Sequence, residues 1–150
     1  MVGPRGRPEM FRFACAAAAA LILSAPAALA QDAGHAVTLS FETGAPTGRV
    51  MVALFDSETG YESNRPAASL MVEAGEAPAT AEFRDLPAGT YAVKAFHDVD
   101  GDGRMNLNPF GIPTEPFAFS NNAAGDMGPA PWAGARFEVS GDVAQTIRLR

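Results

Sequence analysis

Cysteine is nearly absent from this sequence: the only one, Cys15, falls in the N-terminal apolar stretch. A disulfide framework is therefore excluded, and a domain beyond that stretch must hold itself by core packing or by a metal. Lysine occurs once, at Lys94, and histidine twice, at His35 and His97. With no G-x-S-x-G, no H-E-x-x-H and no Gly-rich phosphate loop, the usual constellations of nucleophilic, zinc-dependent and nucleotide-dependent catalysis have little to build from. Basic residues are scarce as well. Of 17 acidic residues only Glu9, and of 11 basic ones only Arg5, Arg7 and Arg12, precede Gln31, which leaves 16 against 8 and a net charge near −8. Such a surface repels nucleic acid and anionic lipid.

The first thirty residues read as a cleaved secretory signal. Arg5, Arg7 and Arg12 precede the run FACAAAAALILSAPAALA, which ends in Ala28-Leu29-Ala30, the small-x-small pattern of a cleavage site. A retained membrane anchor is disfavoured because Pro26 interrupts the run. An acylated lipoprotein is excluded because the apolar region follows Cys15 rather than preceding it. Residues 31–150 then form one domain, long enough for a single core and too short for two. No later segment is apolar enough to cross a bilayer, so the expected product is periplasmic or secreted and not membrane-embedded.

What remains is a series of short strands separated by glycine and proline. HAVTLSF alternates, with Val37, Leu39 and Phe41 on one face, whereas RVMVALFD is apolar on both faces, as a central strand is. SETGYESNRP reads as a loop with room for one helical turn. ASLMVEA, AEFRDL, TYAVKAFHD, ARFEVS and VAQTIRLR complete seven strands with no helical period between them. The expectation is an all-β fold, a single seven-stranded antiparallel β-sandwich of immunoglobulin-like kind with one long irregular loop. One long irregular region, Gly101 to Gly134, has no strand beyond a short stretch within Pro116 to Ser120. Loops that long are held or used. This one contains Phe110, Phe117, Phe119 and Trp132, which either complete the core or form a displayed surface; packing is the reading favoured here.

At the start of that region lies HDVDGDGRMN. Asp98, Asp100, Asp102 and Gly103 fit D-x-D-x-D-G, the first half of a calcium loop, in which alternate side chains of a tight turn converge on one point. The Arg104 carbonyl and Asn106 follow at the expected places. The closing glutamate does not: its place is taken by Pro109, and no helix flanks the loop, so this is not an EF-hand. Glu115, Asp126 and Asn108 are the candidates to close the site, with Glu115 preferred. The expected cofactor is calcium, acting as a clip that ties the long loop to a strand end, against the plainer reading of an acidic turn. His97 shares parity with Tyr91, Val93 and Ala95 and so leans into the core. A hydrolase built on His97, Asp98 and Ser120 is the alternative, and it requires those side chains to meet.

FRDLPAGTYAVKAFHDVDGDGRMN followed by NPFGIPTEPFAFSNNA resembles the small exported bacterial proteins of a domain-of-unknown-function family, DUF2141. DLPAGTYAV alone is similar to an element of many prealbumin-like and carboxypeptidase-regulatory-like sandwiches. The resemblance implies a seven-stranded exported sandwich without assigned activity. It singles out His97, Asp98, Asp102, Gly103, Phe110, Gly111, Pro113, Phe119, Ser120, Asn121 and Asn122. Members more often show Asn where Asp100 stands, so this loop is more acidic than the pattern requires. Hydroxyisourate hydrolases resemble the expected architecture but use several histidines and a Tyr-Arg-Gly-Ser tail, whereas the last residues here are Ile147-Arg148-Leu149-Arg150. The sequence names no partner beyond an unknown envelope or extracellular ligand.

Overall fold

The computed structural model describes residues 34–150; the expected signal and its cleavage after Ala30 lie outside the described residues. Eight strands form two sheets: β1 (His35–Glu42), β2 (Arg49–Phe55), β3 (Ala68–Glu73), β4 (Ala79–Leu86), β5 (Gly89–Asp98), β6 (Phe117–Phe119), β7 (Phe137–Val139) and β8 (Val143–Arg148). One sheet has the order β4-β1-β8 and the other β3-β2-β5-β6, with β7 paired to the start of β5. All seven expected strands are present, so the mostly-β expectation holds. It is corrected on two counts. Phe117–Phe119 is an eighth strand, because its backbone finds Lys94–Phe96 of β5 as a partner. The pairing is also not antiparallel throughout, since β8 runs parallel to β1, from Val37 opposite Val143 to Glu42 opposite Arg148.

The alternating patterns explain the layers. Val37, Leu39 and Phe41 of β1, Ala81 and Phe83 of β4 and Ile147 of β8 meet Val50, Val52 and Leu54 of β2 and Val93 and Ala95 of β5 in one buried core shared by the two sheets. β2 is apolar on both faces because its other face is covered too. There Phe55 joins Tyr61, Ala92, Phe119, Ala130 and Ala135 in a second, smaller core. Two short helices, α1 (Glu58–Glu62) and α2 (Trp132–Ala135), bring Tyr61, Trp132 and Ala135 to that outer face. The Ser57 hydroxyl caps α1 by accepting the Gly60 N–H, as an N-cap serine does.

Lys94 emerges beneath this second core. Its ammonium donates to the Tyr61 carbonyl at the end of α1 (2.6 Å) and lies 4.2 Å and 5.0 Å from the ring centroids of Tyr61 and Phe55. Burial lowers the lysine pKa from its ordinary value, and burial pushes the Tyr61 phenol up to about 12. The long loop is therefore largely folded down. Phe117, Phe119 and Trp132 pack as expected, but Phe110 does not and stands 89% exposed.

Beyond β8 the chain leaves one sheet for the other. Leu149 still donates its N–H to the Glu42 carbonyl, while Arg150 and Phe117 exchange two backbone hydrogen bonds of 2.9 and 3.2 Å. The edge of β6 is thereby covered by the last residue of the chain.

Candidate functional site

The aspartate loop is the continuation of β5, and its conformation is dictated first by Asp98. This carboxylate is fully buried; Oδ1 accepts the N–H groups of Gly101 (2.8 Å) and Asp102 (3.1 Å), and Oδ2 accepts that of Gly103 (2.9 Å). Three backbone donors wrapped around one acid force the chain into a tight turn, and Gly101 and Gly103 take the left-handed conformation it needs, with φ of 77° and 79°. Asp100 and Asp102 are exposed at the mouth of this turn. Asp100 accepts from the Asn106 amide (2.6 Å) and from the Asp102 N–H (3.1 Å), and these bonds, the Asn106 one foremost, hold its carboxyl below the usual carboxylate range. Asp102 accepts the Arg104 N–H at 2.7 Å.

The three carboxylates do converge. Oxygens of Asp98, Asp100 and Asp102 lie within 4.8 Å of one another, a group able to hold a metal ion. Asn106 is held at the rim through Asp100, and Arg104 follows with its backbone N–H on Asp102. Glu115 folds back to the loop as well, but to a different purpose. Nearly buried, it accepts the Val99 N–H through Oε1 (2.9 Å) and the Asn106 N–H through Oε2 (3.1 Å), and it stands outside the group of three. It therefore ties both ends of the loop together by hydrogen bonds to the backbone. Asp126 is exposed and outside the group, and Asn108 uses its carbonyl oxygen on Phe110 and Ile112.

Behind the loop, His97 is fully buried, as its parity in β5 predicts. Nε2 lies 2.6 Å from the Thr47 carbonyl, which can only accept, so Nε2 carries the proton; Nδ1 is buried without a partner. Gly48, next to Thr47, has φ of 80° and lies against the Asp98–Val99 peptide.

The grouping of His97, Asp98 and Ser120 is not assembled. Ser120 accepts the Val93 N–H at 2.9 Å and donates to the Ala135 carbonyl, both buried. Val93 precedes His97 by four residues, roughly 13 Å along a strand. The hydroxyl is thus a bracket between β5 and α2. Ser120→Ala orphans a buried donor and a buried acceptor and is expected to cost about 2 kcal/mol in a denaturant titration; a variant as stable as the parent contradicts the bracket role.

Asn121 and Asn122 have roles that spacing did not disclose. Both are left-handed, with φ of 60° and 51°, a conformation that asparagine tolerates. The Asn121 amide donates to the carbonyls of Gly134, Ala135 and Arg136, and Asn122 pairs with Thr146 and Arg148 along β8. The residues that the resemblance singled out accordingly fall in three places: the aspartate turn, the exposed turn around Phe110, and this asparagine corner. The one signal available in the sequence was the pair of adjacent asparagines, each able to satisfy a backbone edge from an unusual conformation.

A family model described as "Uncharacterized protein conserved in bacteria (DUF2141)" matches residues 42–147, a span that takes in all three places. No curated protein and no solved structure matches the chain. Well over half of its length being covered by that match, the chain belongs to the DUF2141 family.

Proposed function

We propose that this is an exported, non-catalytic β-sandwich of prealbumin-like kind whose aspartate loop takes calcium, serving as an accessory module in the cell envelope. The observation that supports the metal is the convergence of Asp98, Asp100 and Asp102 within 4.8 Å, with few local cations to relieve their repulsion. All-oxygen donors favour a hard cation, and a mouth that was not built to an octahedron suits calcium, which accepts irregular coordination, better than magnesium. With the Arg104 carbonyl and Asn106, the loop offers five contributions where calcium takes roughly 6–8. Export rests on the N-terminal segment, with its Arg-rich start, apolar run and Ala28-Leu29-Ala30.

The test is thermal unfolding in calcium and in chelator. At a concentration about tenfold above Kd, with Kd on the order of 0.1–1 mM, binding contributes about 1.4 kcal/mol. The expected rise in Tm is about 5 degrees. Asp100→Asn combined with Asp102→Asn should remove the rise while leaving the chelated protein's Tm near the parent value, since both side chains are exposed. Coincident curves for the parent in calcium and in chelator end the calcium reading.

A further inference from the structure

The two sheets end in edge strands, and most of these edges are closed or blunted. β6 is covered by Arg150, which exchanges two backbone hydrogen bonds with Phe117. β8 is covered by Asn122, whose side chain donates to the Thr146 carbonyl and accepts the Arg148 N–H. β4 carries Glu82, Arg84 and Asp85 exposed, with Asp85 in a left-handed conformation (φ 56°), and charge with irregularity is how natural edges are blunted. β3 has none of these devices. It pairs with β2 without a break from Ala68 to Glu73 and contains one charged residue, Glu73, and neither lysine nor proline.

The backbone groups left open on β3 follow from the register. Along an antiparallel strand, successive residues direct their N–H and C=O groups to opposite edges. The Ala74 N–H donates to the Gly48 carbonyl (3.0 Å), in register with the β2–β3 pairing, so Val72 and Leu70 face β2. The His97 N–H donates to the Pro116 carbonyl (2.8 Å), which fixes the same parity through β5 and β2. Ser69, Met71 and Glu73 therefore point their N–H and C=O groups away from the sheet, and among the described residues no backbone group bonds to them.

We propose that this edge pairs with β3 of a second copy, antiparallel across a two-fold axis at Met71, which joins the larger sheets of two molecules into one. In that register Met71 faces the second copy's Met71 and Ser69 faces its Glu73, so every open group on both strands finds a partner. Any strand could bond to the backbone; the side chains select the copy. On the outer face one row runs Met51, Met71, Met71, Met51, which covers a methionine now 54% exposed. The adjoining row runs Arg49, Glu73, Ser69, Ala53, where Glu73, bridged to Arg49 at 3.1 Å, meets a serine and no like charge. On the inner face Val72 meets Leu70, both half-buried and packed on the shared core. With β4, β6 and β8 blunted or covered, assembly stops at two.

Sedimentation equilibrium of the purified protein tests this. The expected result is a monomer–dimer equilibrium with Kd on the order of 10–100 μM, weak because one pair of edge strands is smaller than a standard interface. Added salt should tighten it, since it screens the repulsion between chains of net charge near −8. Met71→Lys and Met71→Glu each set like charges opposite each other and should raise Kd at least about tenfold, whereas their equimolar mixture, with Lys facing Glu, should return to within about threefold of the parent. Both variants should keep the parent's Tm at concentrations where the parent is a monomer, because the side chain is exposed. A parent that stays monomeric up to about 1 mM overturns the proposal. So does a Kd that Met71→Lys leaves unchanged, a mixture no better than its components, a dimer that salt dissolves, or assembly beyond two copies.

Discussion

Asp98→Ala is expected to lower the unfolding free energy by about 4 kcal/mol, one of the two largest effects that a single substitution outside the hydrophobic core should have here. The magnitude comes from what the carboxylate holds. It is fully buried and accepts three backbone N–H groups, those of Gly101, Asp102 and Gly103. Hydrogen bonds to a charged acceptor each contribute about 1.5–3 kcal/mol, and donors left without partners cost more than the bonds themselves gain, offset in part as water enters the opened turn. Asp98→Asn separates the two oxygens. It keeps Oδ1 for Gly101 and Asp102 but sets an amide against the Gly103 N–H, so a loss of about 2 kcal/mol is expected. Urea titration in chelator checks both values. If Asp98→Ala were as stable as Asp100→Ala under those conditions, the role of Asp98 as the turn's anchor would be wrong, whatever its affinity for metal.

Gly48→Ala should be worse, above 4 kcal/mol. Two costs add at this position. The residue has φ of 80°, which an L side chain rarely adopts, and a Cβ there would overlap the Asp98 carbonyl oxygen and come within 2.8 Å of the Val99 Cα. Both obstacles are backbone, so no rotamer change relieves them. The end of β5 would have to move, and with it the Thr47 carbonyl bond to His97 and the anchor of the aspartate turn. Gly101→Ala is the control: its φ of 77° is equally left-handed, but nothing lies within 4 Å of the added carbon. A loss of about 1–2 kcal/mol is expected from the backbone conformation alone. Equal losses at the two positions would show that close approach contributes nothing at Gly48.

These two positions also mark how far the sequence could be read. The strands of the shared core were legible, because the alternation of Val37, Leu39 and Phe41 and the two-faced run Arg49–Phe55 each admit one placement. β6 was only partly legible. Three residues after a proline have no strand signal of their own, and Phe117–Phe119 becomes a strand only because β5 offers its edge. The parallel pairing of β8 with β1 is a matter of which edge the chain reaches last, and local pattern carries no information on that. At the candidate site, the spacing of Asp98, Asp100 and Asp102 gave the convergence of their side chains. It did not give the division of labour, in which Asp98 builds the turn and the other two line its mouth. Glu115 was found as the residue that returns to the loop. That it returns to two backbone N–H groups, rather than to the aspartates, depends on geometry that no spacing rule contains. Gly48 is legible only as the end of the turn GAPTG between the first two strands; its close approach to the Asp98–Val99 peptide is not.

The pairing of the first strand with the last sets an order of events in synthesis. β1 can find β4 early, but its other edge stays open until β8 has been made, and the residues just after β8 bring Arg150 to Phe117. A nascent chain that stops short of β8 therefore carries two unclosed edges. Contacts that distant in sequence form slowly, because the loop between them must first be brought together. The seam between β1 and β8 that closes the sheet is thus also the slowest to form, and until it closes the open edges can pair with other chains.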